Sequence, residues 1–134
     1  MIGETAFARL WALPEEGTEL ILFAGPARPT VTEEQEIDYA MLRRKTDNTV
    51  FATFIEPWRE SAGPKIKSIE RVPVTAEGRT VSDLEAVAMR VTRVDGGQQQ
   101  IFFVNYSGGE KAIEGRKITE ERGFFDPAKG GKSK

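Results

Sequence analysis

Hydrophobic and polar residues alternate with a period of two along most of the chain, in short runs separated by turn residues. This period is typical of β-strands, in which successive side chains point to opposite faces. The densest apolar run covers residues 49–59, with the sequence TVFATFIEPWR. Because both alternating faces of this run are apolar, the pattern predicts a central strand that is buried from two sides.

Pro57 is expected to end the pairing of this strand, since proline has no backbone N–H and restricts Glu56 to extended conformations. We therefore expect Glu56, Trp58 and Arg59 to project toward a rim of the sheet. A surface site would then include that rim.

Two hairpins are predicted in the first half of the chain. Residues 5–13 and 18–24 flank the turn sequence PEEG, and residues 37–45 and 49–59 flank TDN, so each pair should be antiparallel. In the first strand, one alternating face holds Phe7, Arg9 and Trp11, and the other holds only Ala and Leu. The all-apolar face is predicted to point inward.

The second half of the chain also favours strands. Residues 65–74 contain Pro73 and predict an edge strand, whereas residues 75–83 predict a polar loop. Residues 84–94 contain helix formers, but their apolar positions fall two apart and the turn DGG follows, so we predict a strand that pairs with residues 100–106. Short closing strands are expected within residues 112–125. Roughly eight to ten short strands without a long helix predict an all-β fold, an antiparallel β-sandwich.

The length of 134 residues predicts one domain, over residues 1–126. Residues 127–134, rich in Lys and Gly, predict a disordered tail. Residues 25–36 predict a surface loop, with one helical turn capped by Thr32 as an option.

Composition narrows the chemistry. The chain has no Cys and no His, which removes thiolate ligands, disulfides, the commonest metal ligand and the commonest general acid or base. We predict no cofactor and no metal, because Glu33, Glu34 and Glu36 lack the spacing of a calcium loop. A net charge of −2 gives no field that would attract nucleic acid or an anionic membrane. The N-terminal residues resemble no signal peptide, and no apolar stretch is long enough to span a membrane.

Two groups of side chains are candidates for carbohydrate binding. Trp58 and Arg59 would offer an aromatic platform beside a cation, and Arg43 and Arg44 would offer planar guanidinium groups that match a carboxylate or sulfate. The alternatives are a core tryptophan beside a strand end and a charged strand end in solvent. No residue is predicted to be catalytic.

Several segments together resemble a known family. They are ARLW at residues 8–11, LPEEGTELIL at 13–22, RR at 43–44, VFATFIEPW at 50–58, and residues 66–72. They resemble the C-terminal part of heparinase II/III-like polysaccharide lyases, including alginate-lyase relatives. The resemblance implies an N-terminal α-helical toroid joined to a C-terminal β-sandwich, cleavage of uronate-containing polysaccharides by β-elimination, and a periplasmic or extracellular parent protein.

The toroid has no counterpart in this chain, and neither have the Asn, His and Tyr positions that the family uses for catalysis. The resemblance therefore implies a non-catalytic C-terminal β-sandwich domain that supports the catalytic toroid or its substrate cleft. An autonomous carbohydrate-binding module for uronate-containing polysaccharide is the alternative. A structural domain that seeks a protein partner through an unpaired edge is a third possibility. The expected partners are a polysaccharide or the catalytic domain of the parent protein.

Overall fold

Strands account for the regular structure of the residues that the computed structural model describes, which are 4–26 and 36–129. In chain order the strands are β1 (Ala6–Ala12), β2 (Thr18–Pro26), β3 (Glu36–Arg44), β4 (Thr53–Arg59), β5 (Ile66–Val72), β6 (Val74–Ala76), β7 (Arg79–Thr80), β8 (Ala86–Arg93), β9 (Gln99–Asn105), β10 (Lys111–Ile113), β11 (Arg116–Ile118) and β12 (Arg122–Phe125). All described pairs are antiparallel. The predicted all-β fold, an antiparallel β-sandwich, is confirmed.

The described chain divides into two compact units. One consists of Met1–Leu13 and Val50–Lys134, and the other of Pro14–Thr49. The prediction of a single domain over residues 1–126 stays a prediction. The loop predicted at 25–36, with its capping Thr32, and the tail predicted at 127–134 lie mostly outside the described residues, and residues 127–129 form a turn in which Ala128 N donates to Asp126 Oδ1 (2.9 Å).

The larger unit is built on a four-stranded sheet with the order β12-β9-β8-β5. The alternation along β8 sends Ala86 and Ala88 into one buried cluster and Val87, Met89 and Val91 into another. The first cluster joins this sheet to a second four-stranded sheet, β11-β10-β6-β7, through side chains such as Ile101 and Ile113. The second cluster joins the opposite face to the two-stranded sheet β1-β4. Strand β8 is therefore buried from both sides.

The smaller unit is a two-stranded hairpin of β2 and β3, in which Thr18 pairs with Arg44 and Phe23 with Tyr39. The rings of Phe23 and Tyr39 stack at 5.0 Å between centroids.

The second half of the chain follows the sequence pattern closely. Strands β8 and β9 pair through the predicted Asp95-Gly96-Gly97 turn, where Gly96 (φ 76°) and Gly97 (φ 68°) adopt left-handed conformations that suit glycine. Strand β5 is an edge strand, and the closing strands form as β10, β11 and β12. The predicted loop at 75–83 instead contains part of β6 and the short strand β7, which raises the number of described strands to twelve.

The predicted pairing of the first four strands is wrong. Strand β1 pairs with β4 rather than β2, and β3 pairs with β2 rather than with residues 49–59. The turn residues 14–17 and 46–48 therefore do not determine which strands pair. Strand β4 is accordingly not central, and it begins at Thr53, so residues 49–52 precede it.

Pairing also continues through Pro57, which lies opposite Ala8, to Arg59. A strand with one neighbour tolerates proline because every second backbone N–H points away from that neighbour. The inward face of β1 is the reverse of the prediction: Trp11 packs against the second buried cluster, and Leu10 is exposed. Burying the indole removes more apolar area from water than burying alanines does.

Among the described residues there is no helix long and apolar enough to cross a membrane.

Candidate functional site

The four predicted carbohydrate-binding residues fall in different compact units. Trp58 and Arg59 end strand β4 of the larger unit, whereas Arg43 and Arg44 end strand β3 of the hairpin. Each pair is described separately.

Arg43 and Arg44 have different surroundings. Arg43 is exposed, and its Nε donates to Glu19 Oε2 on the neighbouring strand (2.9 Å). The side chain of Arg44 is buried, at 8% exposed. It donates from Nε and Nη2 to Thr18 Oγ1 (2.9 and 2.7 Å), bonds to Thr49 Oγ1 and pairs with Glu15 at 3.2 Å. Arg44 thus links the end of β3 to the start of β2, and Arg43 is the member of the pair that is exposed to solvent.

Trp58 lies in an aromatic and cationic cluster. Its ring stacks on Phe7 across the strand pair, with centroids 5.6 Å apart and planes 18° apart. The guanidinium of Arg9 lies 5.5 Å from the Trp58 ring centroid and 5.0 Å from that of Trp11, within cation–π distance of both. Arg59 is exposed and lies 3.8 Å from Glu4. The half-buried Trp58 therefore presents part of an aromatic surface, and the accessible cation of Arg59 lies on the opposite face of the strand pair.

Glu56 does not project to a rim, which corrects the prediction. It is 5% exposed, and its Oε1 accepts hydrogen bonds from the backbone N–H groups of Lys65 and Ile66 (2.7 Å from Ile66). The indole N–H of Trp11 donates to Oε2 (3.1 Å). The side chain points inward because Glu56 shares its strand face with Phe54 and Trp58 and lies opposite Arg9.

Burial alone would raise the pKa of Glu56, because it disfavours the charged form. The donors from Ile66, Trp11 and Lys65, together with the charge of Arg9, outweigh burial and hold the pKa below its usual 4.5. Glu56 is therefore an ionised structural carboxylate that joins β4 to the start of β5.

The sequence did not predict an aromatic groove in the larger unit. The groove lies on the face of the β12-β9-β8-β5 sheet that packs against the β1-β4 sheet. Its volume is about 460 Å³, and its lining includes Phe54, Met89, Phe102, Tyr106, Arg122 and Phe124. Three rings follow one another from the covered centre to the exposed edge: Phe54 meets Phe102 edge-on at 5.4 Å, and Phe102 stacks on Phe124 at 5.6 Å. The available signal was the alternation of Arg122 and Phe124 on one face of a short closing strand.

The remaining titratable residues of the described part form no metal-binding cluster. Among the described residues, no group of three or more Asp or Glu side chains is placed to hold a metal ion. Tyr106 lines the groove, and Tyr39 stacks on Phe23, so the two phenols lie in different compact units. Glu33 and Glu34 lie outside the described residues, and the side chain of Glu36 is likewise not described.

Comparison of the chain with models of protein families, with characterised proteins and with solved structures finds no match. The resemblance to the C-terminal domain of heparinase II/III-like lyases stays a prediction that rests on the residues quoted for it.

Proposed function

We propose that this chain is a non-catalytic accessory domain, the C-terminal β-sandwich of a heparinase II/III-like polysaccharide lyase, which supports the catalytic toroid or its substrate cleft by docking against it. One observation carries the proposal: the β2-β3 hairpin exposes apolar side chains on both of its faces. The family and the toroid come from the sequence resemblance, and the docking comes from this surface.

The register of the hairpin assigns its side chains to faces. Leu20 and Leu22 lie on one face, and Phe23 and Met41 on the other, and all four are exposed, Leu22 at 71%. A two-stranded hairpin is marginally stable in water, and strands with two apolar faces are typical of sheets that are covered on both sides. Exposed apolar patches of this kind mark surfaces that bind other proteins. The hairpin is thus suited to insertion between elements of a partner.

The outer face of the β1-β4 sheet supports the same role. The register places Ala8 opposite Pro57 and Leu10 opposite Ile55 on the face away from the buried cluster. Leu10 and Ile55 are exposed, Ile55 at 65%. The centre of this face is apolar, and Arg59, opposite Ala6 at its end, is the one charged residue among its paired positions. The apolar centre again favours contact with protein rather than with a polysaccharide.

The non-catalytic part of the proposal follows from what β-elimination needs. The reaction requires a base for the C5 proton, an acid for the leaving oxygen and a group that neutralises the uronate carboxylate. The sequence has no histidine, and the buried carboxylate Glu56 is held ionised by structural donors. Docking to a domain that supplies these groups fits the chain better than catalysis by its own residues.

The test measures binding of the purified chain to a separately expressed α-helical toroid of a heparinase II/III-like lyase, by sedimentation velocity and calorimetry. We expect a complex that Leu22→Lys weakens by about tenfold or more, because a charge would be buried in an apolar contact. Val94→Lys is the matched control, since Val94 is also exposed but lies outside the hairpin. Failure of the wild-type chain to bind, or equal binding by the two variants, would contradict the docking proposal.

Activity provides an independent check. The isolated chain should release no unsaturated uronate from heparan sulfate or alginate, as followed by ultraviolet absorbance. Release of that product by the purified chain would show that the domain is catalytic.

The second candidate is an autonomous carbohydrate-binding module that uses Trp58 and Arg59, with Arg43 and Arg44 as a separate cationic group. The stacked Phe7–Trp58 pair favours it, with the exposed Arg59 one residue further along β4. Uronate oligosaccharides should then change the tryptophan fluorescence of the wild-type chain but not of Trp58→Phe. An identical response from both proteins would assign the signal to Trp11 and exclude Trp58.

A further inference from the structure

The aromatic groove of the larger unit has the properties of a small-ligand site. Phe124 is 65% exposed although it lies within a strand, and one side of its ring is stacked on Phe102. Its other side is therefore available to a flat apolar group. The groove volume of about 460 Å³ falls within the range of small-molecule pockets, which is roughly 300–1,000 Å³.

The charge of the groove also limits which ligands fit it. Arg122 is the only charged side chain among the described residues that line it, and no carboxylate lines it. Arg122 is exposed, and among the described residues it forms no salt bridge, unlike Arg43, Arg59 and Arg93. A lone guanidinium beside an aromatic surface selects a ligand that is negatively charged, since its planar fork matches a carboxylate or sulfate.

The strand that carries both groups is held firmly against the core. Gly123 lies between Arg122 and Phe124, and a Cβ built on it would lie 3.0 Å from Cζ of Phe103 and 3.1 Å from its Cε1. The absence of a side chain lets β12 approach the buried ring of Phe103, with which Gly123 is paired. Arg122 and Phe124 consequently share the opposite face of a fixed strand, and the site is preorganised.

We propose that this groove binds a ring-shaped organic anion, a ligand with one apolar ring face and one carboxylate or sulfate-type group. The ring face stacks on Phe124, the anionic group accepts hydrogen bonds from Arg122, and Tyr106 at the groove offers a phenolic hydroxyl. Acidic sugars and aromatic anions both have this chemistry. The site lies apart from Trp58 and Arg59 and does not depend on the docking role proposed above.

The test is a titration of the full chain, followed by amide chemical shifts, with four probes: a glucuronate-containing disaccharide, naphthalene-2-sulfonate, the neutral disaccharide cellobiose and inorganic sulfate. We expect at least one ring-shaped anion to shift the amides of Gly123 and Phe124, and to bind about tenfold or more tightly than cellobiose and sulfate. The tighter of the two ring-shaped anions identifies the source of the ligand. If neither binds, or if sulfate or cellobiose binds as tightly, the proposal is overturned.

Variants locate the ligand. Arg122→Gln and Phe124→Ala alter exposed side chains and should each weaken binding by about tenfold, and Arg122→Gln should also remove its dependence on ionic strength. Lys67→Gln and Leu84→Ala are the matched controls, because they change an exposed cation and an exposed apolar side chain of the same unit outside the groove. We expect the controls to stay within about twofold of wild type. Arg59→Gln and Phe7→Ala locate the competing surface, and a greater loss of binding in these two variants than in the groove variants would place the ligand at Trp58 and refute this site.

Discussion

Replacing Glu56 by glutamine tests whether the buried carboxylate holds β4 to the beginning of β5. The wild-type carboxylate accepts three N–H groups, from Lys65, Ile66 and Trp11. A glutamine side chain has the same shape, but its NH₂ group cannot accept a hydrogen bond. If the amide oxygen keeps the two backbone donors, the NH₂ group faces the indole N–H of Trp11, and that donor loses its partner.

The magnitude follows from these three bonds. An unsatisfied buried donor costs about 1–3 kcal/mol, and a bond to a charged acceptor exceeds a neutral one by roughly 0.5–1 kcal/mol. One lost and two weakened bonds therefore lower the free energy of unfolding by about 2–5 kcal/mol. With a urea m-value of about 2 kcal/mol/M, the midpoint should fall by roughly 1–2.5 M.

The assay is urea unfolding monitored by tryptophan fluorescence, repeated from pH 7 down to pH 2. The folded-state pKa of Glu56 lies below 4.5, so its contribution to stability is fully present above pH 4.5 and is lost as the pH falls through the folded-state pKa. The difference between wild type and Glu56→Gln should therefore be constant near neutrality and shrink in acid.

Glu60→Gln is the control, because Glu60 is an exposed carboxylate next to β4. We expect its unfolding free energy to stay within about 0.5 kcal/mol of wild type. The reasoning is wrong if Glu56→Gln also stays within that margin, or if its deficit persists unchanged to pH 2.

Three further changes test other parts of the fold. Gly123→Ala should destabilise the chain by about 1–3 kcal/mol in urea unfolding, because the new methyl group would overlap the ring of Phe103, and an unchanged midpoint would show that β12 can move away. Ile113→Ala should cost about 2–5 kcal/mol, since Ile113 is 0% exposed, while Ile55→Ala on the exposed face should cost less than about 0.5 kcal/mol; equal costs would contradict the assigned core. The hydrogen bonds from Arg93 lower the pKa of Asp95 from 3.8 to about 2. Arg93→Gln should return this pKa toward 3.8 in an NMR titration. A midpoint near 3.8 in both proteins would exclude the Arg93–Asp95 ion pair.

The sequence predicted strands well where neighbours in the chain are also neighbours in the sheet. The β8-β9 hairpin follows from period-two alternation and the Asp95-Gly96-Gly97 turn, both of which are local signals. The β1-β4 pair was not predicted because the whole β2-β3 hairpin separates its strands in the chain. Turn residues are a local signal, and nothing local encodes a partner so distant.

The site residues show the same limit. Arg43 and Arg44 are adjacent and look equivalent in sequence, yet cross-strand partners leave Arg43 exposed and bury Arg44. Glu56 looked like a rim residue because Pro57 follows it, and its donors come from Trp11 and from the start of β5. The groove was missed because its rings come from β4, β9 and β12, which only the folded sheets bring together.

The errors about β1 and β4 are informative about function. Both strands were predicted to bury faces that are exposed here, with Leu10 on one and Ile55 on the other. Among the exposed large apolar side chains that lie on described strands, all but Phe124 belong to the two-stranded sheets β1-β4 and β2-β3. The apolar faces of the four-stranded sheets are covered by each other and by the inner face of the β1-β4 sheet, and Phe124 is the residue at the proposed ligand groove. An alternating pattern indicates which face of a strand is suited to burial, but it does not indicate which element or partner covers that face. Strands whose pattern favours burial but whose side chains are exposed are therefore the places to look for a partner, and this mismatch supports docking through the two-stranded sheets.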